Sequence, residues 1–476
     1  MAQPQLTPQR KKKHSIGRRI RRIVLLLLLV YAIVAVLPYA FPPKAQLAEN
    51  WLENALSDAN VDSATMLETG SEALDMRLRL IAGAQSSIQA GSYIYAMDES
   101  GTQVTAALLA AADRGVRVQL IIDGLIGFVN LKLDPAAYAL GSHPNVEIRF
   151  YNPVNLLDPM GLNARYHEKF FVVDDEWLIL GGRNVADEFL SQEGNPNYNY
   201  DRDILLHHDR EGRGACQQVA EYFDAMWTST LCAARYESVP GLLAGKVSAA
   251  ADRLREMWAQ IQQTRDLTLP DFSAFAPVDK TALLSGDISA RPKAPLVYAK
   301  MLDLMGSAKT RVILESPYFV MDAPMRDALS QLCALDTDVT LITNSAASGN
   351  NIIASADGVF HRGMTNRMDA RVLEQQSAYS MHTKSILIDD CLSVFGSFNV
   401  DPRSAYIDTE LMLAVYSKPL AAQLENGMDA LIAQSSPVNE QAEAVYASAP
   451  QSVMPFLKGL TIYVLSPFVS LFRFLA

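Results

Sequence analysis

The amino-acid sequence predicts an α/β protein of two related halves behind an N-terminal membrane-spanning helix. Three observations predict this class. A strand–helix–strand order occurs twice along the body, which argues for βαβ units and a mixed sheet in each half. Each copy leads to the same octet, His-x-Lys-x-x-x-x-Asp, and then to Gly-x-x-Asn. A 19-residue apolar run, Ile23 to Phe41, precedes both copies, close to the roughly 20 residues that cross a bilayer.

The chain has 476 residues, 49% of them apolar and 20% charged. That balance excludes a disordered protein and allows two ordinary domains or one bilobal body. Residues 1–22 form a basic tail with eight Lys/Arg, from Arg10 to Arg22, and no acidic residue. Removing these eight leaves 33 basic residues against 52 acidic ones, a net charge of about −19 on the remainder. A body so acidic repels nucleic acid on average, which disfavours a nuclease.

Residues 23–41 read as a retained span. A cleaved secretory signal would have a shorter apolar core and a small-x-small cleavage site, and Pro38-Tyr39-Ala40-Phe41-Pro42-Pro43 offers none. The positive flank keeps the N-terminus cytoplasmic and places the body across the membrane.

The first half, residues 44–235, contains a β-branched and aromatic strand from Ser87 to Tyr95. A helical stretch from Thr102 to Asp113 and a strand from Val116 to Asp123 follow. The connector, residues 236–291, reads as a helix from Leu242 to Thr264 and then as loop marked by Pro270 and Pro277. The second half, residues 292–435, repeats the order, with a strand from Arg311 to Val320, a helix from Pro324 to Leu335 and a strand from Val339 to Thr343. Residues 436–476 end in an apolar stretch interrupted by Lys458, Gly459, Pro467 and Arg473. A helix lying in the membrane interface fits it better than a second span; a helix docked on the body is the alternative. The four cysteines are too few and too scattered for a disulfide framework or a zinc site, although a Cys216–Cys232 bridge is open.

The chemistry concentrates in two octets. The first runs from His167-Glu168-Lys169 to Asp174, and the second from His382-Thr383-Lys384 to Asp389. Gly181-Gly182-Arg183-Asn184 and Gly396-Ser397-Phe398-Asn399 follow them. One octet arises by chance about 2 times in 100 in such a chain; two within a duplicated frame do not. Alternation along a strand puts His167 and Lys169 on one face, and likewise His382 and Lys384. Asp174 and Asp389 sit at odd offsets and open Asp-Asp pairs between apolar runs, so both read as structural turn residues. Brought together, two imidazoles supply a nucleophile and a general acid, and two lysines hold phosphate oxygens. This chemistry needs no metal, and the sequence shows no metal-ligand cluster.

These residues resemble the signature of the phospholipase D superfamily, over about Asp62 to Val415. Within it, Gly396 to Ser404 followed by Thr409-Glu410 is similar to bacterial cardiolipin synthases. Gly181-Gly182-Arg183-Asn184, with Asp187-Glu188 and Arg202-Asp203, resembles a third branch of those synthases. The resemblance implies two pseudo-twofold-related phospholipase D-like α/β/α sandwich domains and a two-step phosphatidyl transfer without cofactor or metal. It implies that His167 attacks phosphorus and forms a phosphohistidine, while His382 moves protons. Lys169, Lys384, Asn184 and Asn399 would bind phosphate, and Asp203 and Glu410 would orient the histidines. It further implies phospholipid substrates (phosphatidylglycerol, with phosphatidylethanolamine as a second candidate), no nucleic acid, a monomer, and a single-pass protein of the bacterial inner membrane with a periplasmic body. The sequence departs from the pattern twice. Gly182 stands where many members have Ser, and one N-terminal apolar segment stands where better-known synthases have two. The alternative activities are transfer of the phosphatidyl group to water, a nuclease, and a catalytically inactive membrane scaffold.

Overall fold

The computed structural model describes residues 13–191, 195–236, 239–446 and 452–475. Arg10, Lys11 and Lys12 of the basic tail lie outside the described residues. The first helix, α1 (Lys13–Val36), continues as a short turn of 3-10 helix, and Gly17–Ala40 form a stretch long and apolar enough to cross a membrane. Its leucines are exposed on every side, as in Leu26 to Leu29. A soluble core helix would bury them.

The first half supplies β1 (Asp62–Leu67), β2 (Ser87–Ser92), β3 (Arg117–Asp123), β4 (Val146–Tyr151), β5 (Phe170–Val173), β6 (Trp177–Gly181), the short β7 (Asn199–Tyr200), β8 (Asp203–His208) and β9 (Ala234–Arg235). The connector supplies β10 (Ala276–Val278) and β11 (Lys280–Ser285). The second half supplies β12 (Arg311–Glu315), β13 (Asp338–Asn344), β14 (Arg371–Gln375), the short β15 (Ser380–Met381), β16 (Ser385–Ile388), β17 (Leu392–Gly396), β18 (Leu411–Tyr416) and β19 (Ser435–Pro437). Among the described residues, one sheet runs β10-β1-β8-β6-β5-β2-β3-β4-β9 and the other β11-β18-β17-β16-β12-β13-β14-β19. Seven consecutive strands correspond one to one, β1-β8-β6-β5-β2-β3-β4 with β11-β18-β17-β16-β12-β13-β14. In each set the last three strands are parallel and the rest antiparallel.

Helices α2 (Gly70–Gly83) and α3 (Glu99–Asp113) cover the outer face of the first sheet. Asp98 caps α3 by accepting the Gly101 N–H. Between the sheets lies α4 (Ala215–Thr228). The connector helix α5 (Ala244–Thr264) buries Leu254, Trp258 and Ile261, a stripe at helical spacing, against α3 and its neighbours. Helices α6 (Leu296–Gly306) and α7 (Ala323–Cys333) cover the outer face of the second sheet. Helix α8 (Ile352–Thr365) follows β13. Helix α9 (Lys418–Ile432) joins α4 between the sheets, and α10 (Phe456–Leu471) lies on α8. Phe170, Leu178 and Ile204 of the first sheet share one apolar core with Leu387 and Leu413 of the second, so the halves form one body.

The connector corrects the sequence reading. After Pro270 the chain was expected to be loop, yet it forms β10 at one edge of the first sheet and β11 at one edge of the second. Two open edges carry unpaired backbone groups, and these strands satisfy them. Pro277 obscured the signal, but β10 is an edge strand, where proline is tolerated.

The octet aspartates lie in turns. Asp174, Asp175 and Asp389 adopt positive φ of 57°, 56° and 52° in the β5–β6 and β16–β17 hairpins. The Asp174 carboxylate accepts backbone N–H groups of Gln85, Ser86 and Ser87, and Asp389 those of Lys309, Thr310 and Arg311. Burial would raise the Asp389 pKa, but these donors and the Thr310 hydroxyl outweigh it and hold it at about 2. Each aspartate thus pins the start of the strand that neighbours its own hairpin. All four cysteines are unpaired thiols, so Cys216 and Cys232 are not bridged.

Candidate active site

The two octets meet where the halves exchange backbone. Tyr166, just before His167, forms a parallel bridge with Thr409, just before Glu410. In the same way β15, just before His382, pairs in parallel with β7, just before Asp201. The His167 N–H donates to the Thr409 carbonyl at 3.3 Å, and the His382 N–H to the Tyr200 carbonyl at 2.6 Å. Each histidine is therefore delivered beside an acidic residue of the opposite half.

The side chains follow the backbone. His167 Nδ1 lies 2.9 Å from Glu410 Oε1, and His382 Nδ1 lies 2.6 Å from Asp201 Oδ2. Both carboxylates are buried. The ionised Asp201 only accepts, so it favours a proton on His382 Nδ1, which also lies 2.8 Å from Lys384 Nζ; the His167 ring and Glu410 share one proton, and with that proton on Nδ1 the lone pair stays on Nε2. The Tyr93 ring stands edge-on to His167 at 5.1 Å, and Phe189 stands the same way to His382 at 5.0 Å. Lys169 Nζ donates to its own His167 carbonyl, and Lys384 Nζ to the His382 carbonyl. Glu168, between His167 and Lys169, reaches Tyr222 instead, as strand alternation requires.

Burial dominates the electrostatics. It lowers His167 well below the usual histidine range, and Lys169 adds to the effect. Burial and then Lys384 lower His382 to about 3. Lys384 also bears on His167, and Lys169 on His382, so the four groups share one field. Burial lowers Lys169 to about 7 and Lys384 to about 8. The two carboxylates differ. Burial would raise Asp201, but Lys384 and the His382 hydrogen bond outweigh it, so it stays ionised. Burial raises Glu410 to about 8 despite Lys169 and the hydroxyls of Ser397 and Ser404. An anion entering between the lysines would offset their charge and ease protonation of either imidazole.

Asp203 requires a correction. It was expected to orient a histidine as the counterpart of Glu410, but sheet register pairs Gly181 with Asp203 and Gly396 with Met412. Two residues before these positions lie Asp201 and Glu410, and these are the counterparts. Asp203 instead holds buried Arg77 at 2.9 Å and lies 3.6 Å from Arg183. The loops from Asn184 to Asp201 and from Asn399 to Glu410 differ in length, so spacing could not reveal the match. The departure at Gly182 now has a physical reason. A Cβ there would lie 2.4 Å from Asp201 Oδ2, whereas Ser397 donates its hydroxyl to the longer Glu410.

The asparagines flank the site. Asn184 accepts the Ile94 N–H through Oδ1, which leaves its NH2 group to donate elsewhere; Asn399 Nδ2 lies 3.0 Å from the Tyr318 hydroxyl. Sequence reasoning gave no role in this site to Asp201, Tyr93 or Phe189, and it quoted Ser404 and Arg202 only as part of the family resemblance. Buried Arg202 pairs with Glu68 of its own half at 2.8 Å and with Glu315 of the other. A cavity of about 310 Å³ opens beside His382, bounded by Phe189, Tyr318 and the inner face of α8.

The division between the two aspartates is testable by stability. Asp203→Ala strands the Arg77 guanidinium in the core and should cost about 3–5 kcal/mol. Asp201→Asn preserves size and most contacts and should cost clearly less. Denaturant unfolding of the detergent-solubilised chain measures both, and equal losses would contradict the assignment.

Known proteins match this chain over both halves. The family described as cardiolipin synthase, PLD-like domain, matches residues 78–227 and 301–432. Cardiolipin synthase C of Escherichia coli is 30% identical over 406 residues, 75% of this chain and 82% of that protein. The major cardiolipin synthase ClsA of Bacillus subtilis is 26% identical over 372 residues, 76% of this chain and 67% of that protein. The crystal structure of phosphatidylserine synthase from Haemophilus influenzae shares the fold, with a TM-score of 0.64 at 16% identity over 90% of this chain and 99% of that one. With two matched segments that each contain one octet, this chain belongs to the cardiolipin synthase family of phospholipase D-like proteins.

Proposed function

We propose that the protein transfers a phosphatidyl group between lipid alcohols, most simply from one phosphatidylglycerol to another to give cardiolipin and glycerol. One observation carries the reading: each histidine is paired with a carboxylate of the opposite half, so two octets make a single site with two imidazoles and two lysines. The names of the relatives support the lipid class.

The chemistry follows from the groups present. His167, neutral and with a lone pair on Nε2, attacks phosphorus, and the bond from phosphorus to the departing alcohol breaks. His382 acts as the imidazolium, which the ionised Asp201 stabilises and the entering phosphate anion favours; it gives its Nε2 proton to that alcohol and becomes neutral, which supports the proton-transfer role for this histidine. Lys169 and Lys384, with the Asn184 and Asn399 amides, hold the phosphoryl oxygens as charge develops. In the second half-reaction neutral His382 takes a proton from the incoming alcohol. The new P–O bond replaces the P–N bond and frees His167.

Labelled phosphatidylglycerol offered to the purified full-length chain should yield cardiolipin and glycerol in equal amounts. Phosphatidic acid as the main product would make water the acceptor and the protein a hydrolase.

His167→Ala and His382→Ala should each lower turnover by about 1,000-fold or more, with non-additive losses because the two act as a unit. With a nitrophenyl phosphodiester, which needs little protonation of its leaving group, His382→Ala should still form and accumulate an adduct on His167. Mass spectrometry of the quenched protein locates it. An adduct on His382 in His167→Ala would reverse the roles, and none in any variant would remove the covalent step.

The basic flank of α1 and the acidic body support a cytoplasmic N-terminus and a body on the outer face of the bacterial inner membrane. Protease added to spheroplasts should digest the body, and protection would contradict this orientation.

A further inference from the structure

Helix α10 is fixed to the body at both ends. Lys458 donates to the carbonyls of Ala347 and Gly349 at 2.6 and 2.7 Å, and Arg473 pairs with buried Asp357 of α8 at 2.9 Å. Its inner face buries Gly459, Ile462 and Ser466. Its outer face exposes Phe456, Leu460, Tyr463, Val464, Phe468 and Leu471, each at least half accessible. Ile353 and Phe360 of α8 are also exposed apolar residues. The described residues 452–475 contain no acidic side chain, in a body that is otherwise strongly acidic. Soluble surfaces rarely leave a stripe of this size bare.

The end of α1 joins this face. Tyr39, just past α1, shares an apolar cluster with Phe474 and Leu475, just past α10. Arg403 ties the two regions, donating to the carbonyls of Asn163 and Leu475. The Asn163 amide in turn donates to the Ala35 carbonyl of α1 at 2.7 Å. A second contact lies deeper along α1. The Tyr31 hydroxyl donates to the Leu156 carbonyl at 2.9 Å, about 8 Å back from the helix end at Val36 by helical rise. Leu156 and Leu157 there are 69% and 94% exposed. If α1 crosses a bilayer, this loop lies below the surface from which α1 emerges.

We propose that α10, the exposed edge of α8 and the Val154–Leu157 loop form one lipid-seated face in the leaflet from which α1 emerges. The occupant is the bilayer itself, because α1, apolar on every side, is hydrogen-bonded to the Leu156–Asn163 segment, and Tyr39 at its foot packs with Phe474 and Leu475 just past α10. The face borders both halves of the site. Helix α8 stands between α10 and the cavity beside His382, and the Leu156–Asn163 segment leads directly into Arg165 and His167. A phospholipid then reaches the histidines without leaving its leaflet; only this consequence rests on the phosphatidyl-transfer reading.

The test uses the full chain with Cys391→Ser, since the other native thiols are buried. An environment-sensitive nitrobenzoxadiazole dye is placed at Leu157→Cys, at Phe468→Cys, and at exposed Glu211→Cys, beyond the strand end remote from the site. In nanodiscs of phosphatidylcholine with a minority of phosphatidylglycerol, the dye at 157 and 468 should emit blue-shifted. Doxyl-labelled lipid should quench it several-fold, with neither effect at 211. Water-like emission at 157 and 468 would overturn the proposal. A blue shift without lipid quenching would overturn it in favour of a second copy of the chain on this face. Val464→Glu with Phe468→Glu should raise KM for vesicle lipid about tenfold and leave hydrolysis of a soluble nitrophenyl phosphodiester unchanged. If the dye reports lipid but no lipid is turned over, the face stands and the phosphatidyl-transfer reading falls.

Discussion

Each imidazole in this protein is held by a carboxylate from the other half of the chain, and that exchange governs how the halves must meet. Glu410 cannot reach His167 unless Thr409 lies alongside Tyr166, and Asp201 cannot reach His382 unless β7 lies alongside β15. The same register is reinforced below the site by Arg202, buried between Glu68 and Glu315. Truncating Arg202 would leave the buried Glu315 carboxylate without its ion partner, costing several kcal/mol. A single apolar core spanning both sheets supplies the rigidity that this geometry demands.

The price of a site built this way is desolvation. Two lysines, two histidines and two carboxylates sit out of water, and burial acts first on nearly every one of them. Without an anion, the lysines destabilise each other and keep the imidazoles neutral. A phosphodiester entering the site relieves that repulsion, so binding energy is expressed where the chemistry occurs. The pseudo-symmetry is incomplete in a useful respect. Asp201 stays ionised whereas Glu410 is readily protonated, and two otherwise equivalent histidines thereby become chemically distinct.

The exposed apolar helices are part of the same construction. The segment running from Leu156 to Asn163 touches α1 and continues into the first octet, while α8 carries α10 on one side and borders the His382 cavity on the other. Helix α1, the apolar face and the site are therefore joined through direct contacts.

The sequence by itself determined the duplication, the two His-x-Lys pairs, the turn role of Asp174 and Asp389 and the apolar span, because each is a local matter of period, spacing or turn chemistry. Even the helix α5 was legible from its unbroken apolar spacing. Only the tertiary structure decided which acids meet the histidines. Asp201 and Asp203 lie two residues apart in the sequence, beside the same apolar run, but Asp203 opens β8 and Asp201 lies in the link from β7. Strand register alone separates the residue at the site from the one that neutralises Arg77. The same holds for β10 and β11, two short stretches just after Pro270, of which β10 also contains Pro277. They become strands because two sheet edges, distant in sequence, offer backbone partners that water would otherwise have to supply.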